Sequence, residues 1–212
     1  MKYILLALVM LSLYACNTLP QRKVVALPPH TRKVELQLKD SLGTLELAIP
    51  ERYDTAFEWI WYSDCKPCDH QEYRFQPKGL PIDQESGWIW SHHREDSVDR
   101  LTISHGRVVD PPFDGAGDIV GYHRNHKEGI IASGKTLLLD TIQRIQDREI
   151  SIFVYKPWIY NACTFNKIVA YTMVRHYEVE LNFELTTKMT DTLHQHFIDR
   201  TMALIQHIHM KK

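Results

Sequence analysis

"YEVELNFEL", residues 177–185, sets Val179, Leu181, Phe183 and Leu185 at every second position with polar residues between them. Strict alternation marks a β-strand with one face buried, because successive side chains leave a strand on opposite sides. The stretches before it read in the same way. "KIVAYTMV" (167–174), "EISIFVYK" (149–156), "VDRLTISHG" (98–106) and "GWIWSH" (87–92) are each short and rich in β-branched or aromatic residues. Phe57, Trp59 and Trp61 alternate further upstream, as do Tyr73 and Phe75. Val34, Leu36 and Leu38, a "DSLG" turn at 40–43, and then Leu45, Leu47 and Ile49 predict a hairpin.

Two segments have helical spacing instead. "KTLLLDTIQRIQDR" (135–148) puts Leu138, Ile142 and Ile145 on one face. "TDTLHQHFIDRTMALIQHIH" (190–209) puts Leu193, Phe197, Leu204 and Ile208 on one stripe, with Thr190 as its cap. The sequence therefore predicts an α+β fold: a mainly antiparallel sheet with a mid-chain helix and a C-terminal amphipathic helix packed on it.

The chain begins MKYILLALVMLSLYAC. Lys2 precedes an apolar run that is shorter than the roughly 20 residues a membrane-spanning helix needs. A charged start, a short apolar middle and a small residue at the end are the marks of a secretory signal. Leu13, Ala15 and Cys16 resemble the lipobox of bacterial lipoproteins. That resemblance implies cleavage before Cys16, lipid on its sulfur and amino group, and a place in the cell envelope. The expected organisation is a signal peptide at 1–15, a lipid-anchored tether at 16–33 rich in Pro and basic residues, and one domain over 34–212. A second likeness lies in "LGTLELAIPERYD" (42–54), which, with the closing helix, resembles PsbP-like domains. It implies a fold and no function.

Composition narrows the partners. Without residues 1–15 the chain keeps 24 basic and 26 acidic side chains, so nothing in its charge suits nucleic acid. "GIIASGKT" (129–136) fits the phosphate-loop pattern through Gly129, Gly134, Lys135 and Thr136, with a helix expected after it. The polar "GYHRNHKE" before it is no buried parallel strand, and an exported protein meets little nucleotide, so no nucleotide is expected.

The loop-like segment 110–129 gathers Asp114, Asp118, His123 and His126, residue types that suit zinc and similar ions. A metal-binding or metal-dependent hydrolytic role follows as the alternative reading, although the bland one is a solvated loop. The pairs His194/His196 and His207/His209 point apart on a regular helix and read as polar-face residues. No nucleophile elbow occurs, and no cofactor motif is persuasive.

Four cysteines remain to be placed. If Cys16 carries lipid, Cys65, Cys68 and Cys163 are left in an oxidising compartment. "EWIWYSDCKPCDHQEYRF" (58–75) admits a redox site, a zinc site with His70, or a disulfide. Strand patterns on both sides, where a redox C-x-x-C needs a helix behind it, favour the disulfide. Cys65–Cys68 is the leading pair, with Cys163 as the alternative partner. Trp59, Trp61, Trp88, Trp90 and Trp158 read chiefly as core and cross-strand packing, with an aromatic ligand pocket as the other reading. The function the sequence supports is a lipid-anchored envelope protein with a binding, scaffolding or assembly role and no catalysis of its own.

Overall fold

The computed structural model describes residues 26–64, 68–82, 97–107, 119–175 and 177–211. Strands β1 (Thr31–Leu38) and β2 (Gly43–Pro50) form the expected hairpin, in a register running from Thr31 opposite Pro50 to Leu38 opposite Gly43. Asp40 and Ser41 turn the chain in the left-handed region, at φ 58° and 57°, which short polar side chains tolerate. β11 (His209–Lys211) joins the far edge of β2 and completes a three-stranded sheet.

The remaining strands are β3 (Thr55–Trp61), β4 (His70–Gln76), β5 (Val98–Arg107), β6 (Leu137–Ile145), β7 (Arg148–Tyr155), β8 (Trp158–Tyr160), β9 (Cys163–Val174) and β10 (Tyr177–Lys188). They build one antiparallel sheet in the order β3-β4-β5-β10-β9-β7-β6, with β8 paired to β9. The alternation of 177–185 now has its cause. Val179, Leu181, Phe183 and Leu185 join Leu101, Ile103, Ile150, Ile152, Ile168 and Ala170 on one face. That face is covered by Leu45, Leu47 and Ile49 of β2 and by Leu204 and Ile205 of a C-terminal helix. Each such burial contributes about 1.5–3 kcal/mol.

A buried polar clasp adds to this seam. Asp99 at the start of β5 accepts from Arg52 Nε (2.6 Å), Arg52 Nη2 (3.0 Å) and Tyr53 Oη (2.7 Å) just beyond β2.

The opposite face of the large sheet carries α1 (Ile119–Ala132), which packs on β6 and β7. Ile119, Tyr122 and Ile130 bury there against Phe153, Tyr155, Val169 and Tyr171. A mid-chain helix thus exists, but not where the sequence spacing put it. Residues 137–145 are β6, and a turn with Gln146 at φ 58° returns them into β7. A bulge between Leu137 and Leu139 breaks the strand's period and leaves apolar residues at apparently helical intervals.

Conversely, much of the expected loop at 110–129 is α1. The "GIIASGKT" stretch is the end of α1, a turn with Gly134 at φ 74°, and the approach to β6. Helix, turn and strand follow one another there, whereas a phosphate loop runs strand, loop, helix.

The C-terminal helix is also shorter than the stripe implied. Asp191, not Thr190, caps a 3-10 turn at Thr192–His196 by accepting from the Leu193 N–H. α2 then runs only over Phe197–Ile205. Among the described residues no helix is long and apolar enough to cross a membrane.

Candidate functional site

Where α1 ends, the same face of the large sheet opens into a polar cleft of about 370 Å³. Cross-strand register assembles it row by row. One row sets Arg74 of β4 beside Thr102 of β5 and Asn182 of β10. The next sets Glu72 beside Ser104 and Glu180, continuing to Tyr171 of β9. A third sets His70 beside Gly106 and Glu178. At the other end Glu184 lies beside Arg100 and Lys167. Trp61, Trp59 and Phe57 of β3 stand opposite His70, Glu72 and Arg74 and form the rim. Gly106 is small for a reason: a Cβ there would lie 3.0 Å from His70 Cβ.

The aromatic rim is held by cations of the cleft itself. The Arg74 guanidinium lies 4.8 Å from the Trp59 ring centre, and His70 stacks on Trp61 at 4.7 Å. Arg74 Nε also donates to Thr102 Oγ1 at 3.2 Å.

Charge is unevenly spread along the floor. Arg100 Nε donates to Glu184 Oε2 at 2.8 Å, and Lys167 Nζ reaches Glu184 Oε1 at 3.5 Å. Burial alone would raise the Glu184 carboxyl, but Lys167 and Arg100 hold it below the usual range. At the other end the partners are hydroxyls and one histidine, with Tyr171 hydrogen-bonded to Glu180. Burial, with Glu178 alongside, pushes Glu180 up to about 7. Burial likewise raises Glu178, although Tyr122 hydrogen-bonds to it. His70 donates from Nε2 to Glu72 Oε1 at 3.1 Å; burial pulls it down, and Glu72 and the Cys68 carbonyl more than reverse that. Glu72 Oε2 and Asn182 Oδ1 are buried without a hydrogen-bond partner among the described residues. An acceptor in that state costs about 1–3 kcal/mol until a donor reaches it. The cleft therefore has paired charges at one end and a shortage of donors at the other.

A second concavity, of about 400 Å³, lies between Pro28, Pro50, Tyr53 and Phe183 on one side and Phe197 and Leu204 on the other. Its arginines are occupied, Arg52 by Asp99 and Arg200 by the carbonyls of Leu193 and His196. It is a mainly apolar seam beside the clasp, with His30, Asp199 and Thr201 among its lining.

The sequence-predicted site residues are scattered. Cys16, Cys65, Asp114, Asp118, Trp88 and Trp90 lie outside the described residues. Cys68 lies just before β4, and the strands that flank its loop are β3 and β4, as the pattern predicts. Cys163 is a buried thiol at the start of β9, bridged to no other cysteine. His123 and His126 are on α1, facing the sheet. His123 Nδ1 lies 2.8 Å from Ser151 Oγ, and its ring stacks on Phe153 at 4.6 Å. The His126 ring packs on Tyr122 at 4.2 Å and Tyr171 at 4.6 Å, and burial lowers its pKa. Both rings are used in holding the helix to the sheet. Among the described residues, no three His, Cys, Asp or Glu side chains are grouped to hold a metal.

Of the tryptophans, Trp59 and Trp61 reach the cleft, whereas Trp158 stacks on Phe165 in a separate hairpin. His194 and His196 fall in the 3-10 turn. His209 sits on β11 with Nδ1 3.0 Å from Glu46 Oε2.

The glutamates of β10 and the basic residues of β4, β5 and β9 were missed as site residues. Their one sequence signal is that charged residues hold the alternate positions of strands, including the central β10, where a face packed by a helix would be apolar.

No family model matches the chain, and no curated protein matches it. Solved structures that resemble it include two at low identity. The solution structure of cyanobacterial PsbP (CyanoP) from Synechocystis has 12% identity and a TM-score of 0.45, over 91% of this chain and 99% of that one. The crystal structure of a protein of unknown function from Pseudomonas aeruginosa has 12% identity and a TM-score of 0.40, over 85% of this chain and 99% of that one. Likeness of this size assigns neither ligand nor role.

Proposed function

We propose that this chain is a non-catalytic binding protein of the bacterial envelope, held to a membrane by lipid on Cys16, with the polar cleft as its ligand site. The observation that carries the binding role is the make-up of the cleft. A concave sheet face of about 370 Å³ combines an aromatic rim, groups of both charges and two acceptors without donors. Such a surface suits a small polar ligand that brings its own N–H or O–H donors to the Glu72, Glu180 and Asn182 end. Support for the anchor is the lipobox resemblance at Leu13, Ala15 and Cys16.

The cleft is tested by titrating the protein with monosaccharides, amino acids and polyamines. Trp59 and Trp61 emission and the thermal midpoint are the readouts. A saturable response that Asn182→Leu abolishes supports the site. No response across the three classes, together with no small molecule released on denaturing protein taken from cells, defeats it. Mass spectrometry of the mature N-terminus tests the anchor separately, and an unmodified Cys16 removes that part alone.

A further inference from the structure

The hairpin formed by β8 and β9 ends in a tip that the ligand cleft does not use. Its sequence, "KPWIYNACTF" (156–165), has three large apolar residues in a row on a strand of only three residues. Trp158, Ile159 and Tyr160 are 45%, 61% and 47% exposed. Met189, 51% exposed, sits beside them, its N–H donating to the Ala162 carbonyl at 3.0 Å.

The tip is a fixed shape. Trp158, Ile159 and Tyr160 pair with Phe165, Thr164 and Cys163, and Trp158 stacks on Phe165 at 5.3 Å with ring planes 7° apart. Asn161 and Ala162 close the turn with φ 48° and 58°, the two positive angles of a tight hairpin turn. For Ala162 that conformation is strained, so the backbone is held there by its surroundings.

Charge and position say what the tip meets. Residues 150–177 contain no aspartate or glutamate. Lys156 and Lys188 are exposed beside the tip. Asp191, the nearest acid along the chain after Lys188, is engaged in capping Leu193. Tryptophan and tyrosine with lysine around them are the residues that favour the water–bilayer boundary, especially over anionic lipid.

The tip also lies at the end of the large sheet where the chain enters the fold. Cys163 faces Lys188 and Leu185 faces Asp99. Asp99 in turn holds Arg52 and Tyr53, next to Pro50 and its partner Thr31 at the start of β1. A chain tied to a membrane through its N-terminal segment would thus present this end.

We infer that the Trp158–Tyr160 tip is a membrane-contact element that seats on the surface of an anionic bilayer. The contact does not require lipid on Cys16; an anchor would only hold the tip close to its target.

The test uses the full chain with vesicles of phosphatidylcholine and phosphatidylglycerol at 3:1, the phosphatidylcholine brominated to quench tryptophan. The expected result is quenched emission, with the quenched fraction falling by about half or more in Trp158→Phe, which keeps the stack on Phe165. The same difference is expected in the Cys16→Ser chain, so failure of the anchor and failure of the tip are read separately. In that chain, Lys156→Gln with Lys188→Gln should weaken binding about 30-fold, from the attraction each lysine has for an anionic surface. Equal quenching in wild type and Trp158→Phe overturns the inference. So does a lipid-free dimer that Trp158→Asp dissolves, which would make the tip a contact between copies of the chain.

Discussion

The end of the cleft that lacks donors predicts how stability should depend on pH. Glu180 sits between Ser104 and Tyr171 with Glu178 nearby, and burial lifts its carboxyl from 4.5 to about 7. A folded pKa above the unfolded one means that the folded state binds the proton more tightly. The resulting stability is fully present below about pH 4.5 and is lost as pH rises through about 7. One unit corresponds to about 1.4 kcal/mol, so the difference between pH 4 and pH 9 is on the order of 3 kcal/mol.

The informative variant is Glu180→Gln. It keeps an oxygen that can accept from the Tyr171 hydroxyl, the neighbour to which Glu180 is hydrogen-bonded, and it cannot ionise. Urea unfolding of both proteins across this range isolates the group, because the other carboxylates are common to both. The variant should match wild type near pH 4 and exceed it by about 2–3 kcal/mol at pH 9. Part of that gain comes from relieving Glu178, which burial also raises. Parallel curves, or a variant weaker than wild type at pH 9, would refute the reading of this end as a buried carboxylate short of donors. A bound cationic ligand should act in the same direction as the mutation, by restoring wild-type stability at high pH.

Other sites give further expectations. His209, Lys211 and Lys33 hold Glu46 down at about 2, so the stability it contributes is present above about pH 4.5 and lost as pH falls through about 2. Acid unfolding followed by circular dichroism should be shallower in Glu46→Gln. At the clasp, Asp99 is buried but Arg52 is partly exposed, so removing Asp99 should cost between the small loss of a surface pair and the 3–5 kcal/mol of a buried one. With the Tyr53 hydroxyl left stranded, about 2–4 kcal/mol is expected for Asp99→Ala in urea. Tyr53→Phe should cost about 1 kcal/mol alone and much less beside Asp99→Ala; additive losses would show that the two do not share the clasp. Gly106→Ala should displace His70, whose Cβ the new methyl would meet at 3.0 Å. An unchanged His70 environment by NMR would contradict the crowding.

The fold was legible wherever one face of a strand is apolar and the other is not. β1, β2 and β10 kept the phase their alternation implied, because a one-residue slip would turn every core side chain into solvent. β6 defeated the same rule. Its bulge shifts the phase at Leu138, and Leu138 and Leu139 are exposed, so the apolar residues reflect no single buried face. α1 was missed for the opposite reason. It is fixed to the sheet largely by the rings of Tyr122, His123 and His126, with few aliphatic side chains, so its buried face has no hydrophobic stripe.

The cleft could not have been read from any one segment, because its rows join residues far apart in sequence: Arg74, Thr102 and Asn182; Glu72, Ser104 and Glu180. What the sequence did contain was the polar half of β10. β10 lies in the middle of an eight-stranded antiparallel sheet, one face of which packs on the small sheet and α2 while the other carries α1. Glu178, Glu180, Asn182 and Glu184 hold the alternate positions on that other face. Three acids and an amide in a central strand are tolerated either by internal pairing or by a ligand. Glu184 has the first solution in Arg100 and Lys167. Glu178 receives a hydrogen bond from Tyr122, and yet burial still raises its carboxyl. Glu180 is hydrogen-bonded by Tyr171, and yet burial raises it to about 7; Asn182 Oδ1 has no donor among the described residues, and both stand beside Glu72 at the open end. The departure from a well-paired sheet is therefore local, and it coincides with the part of the cleft where a ligand's own donors would improve the fold's energy. That coincidence makes ligand binding a better account of these residues than stability.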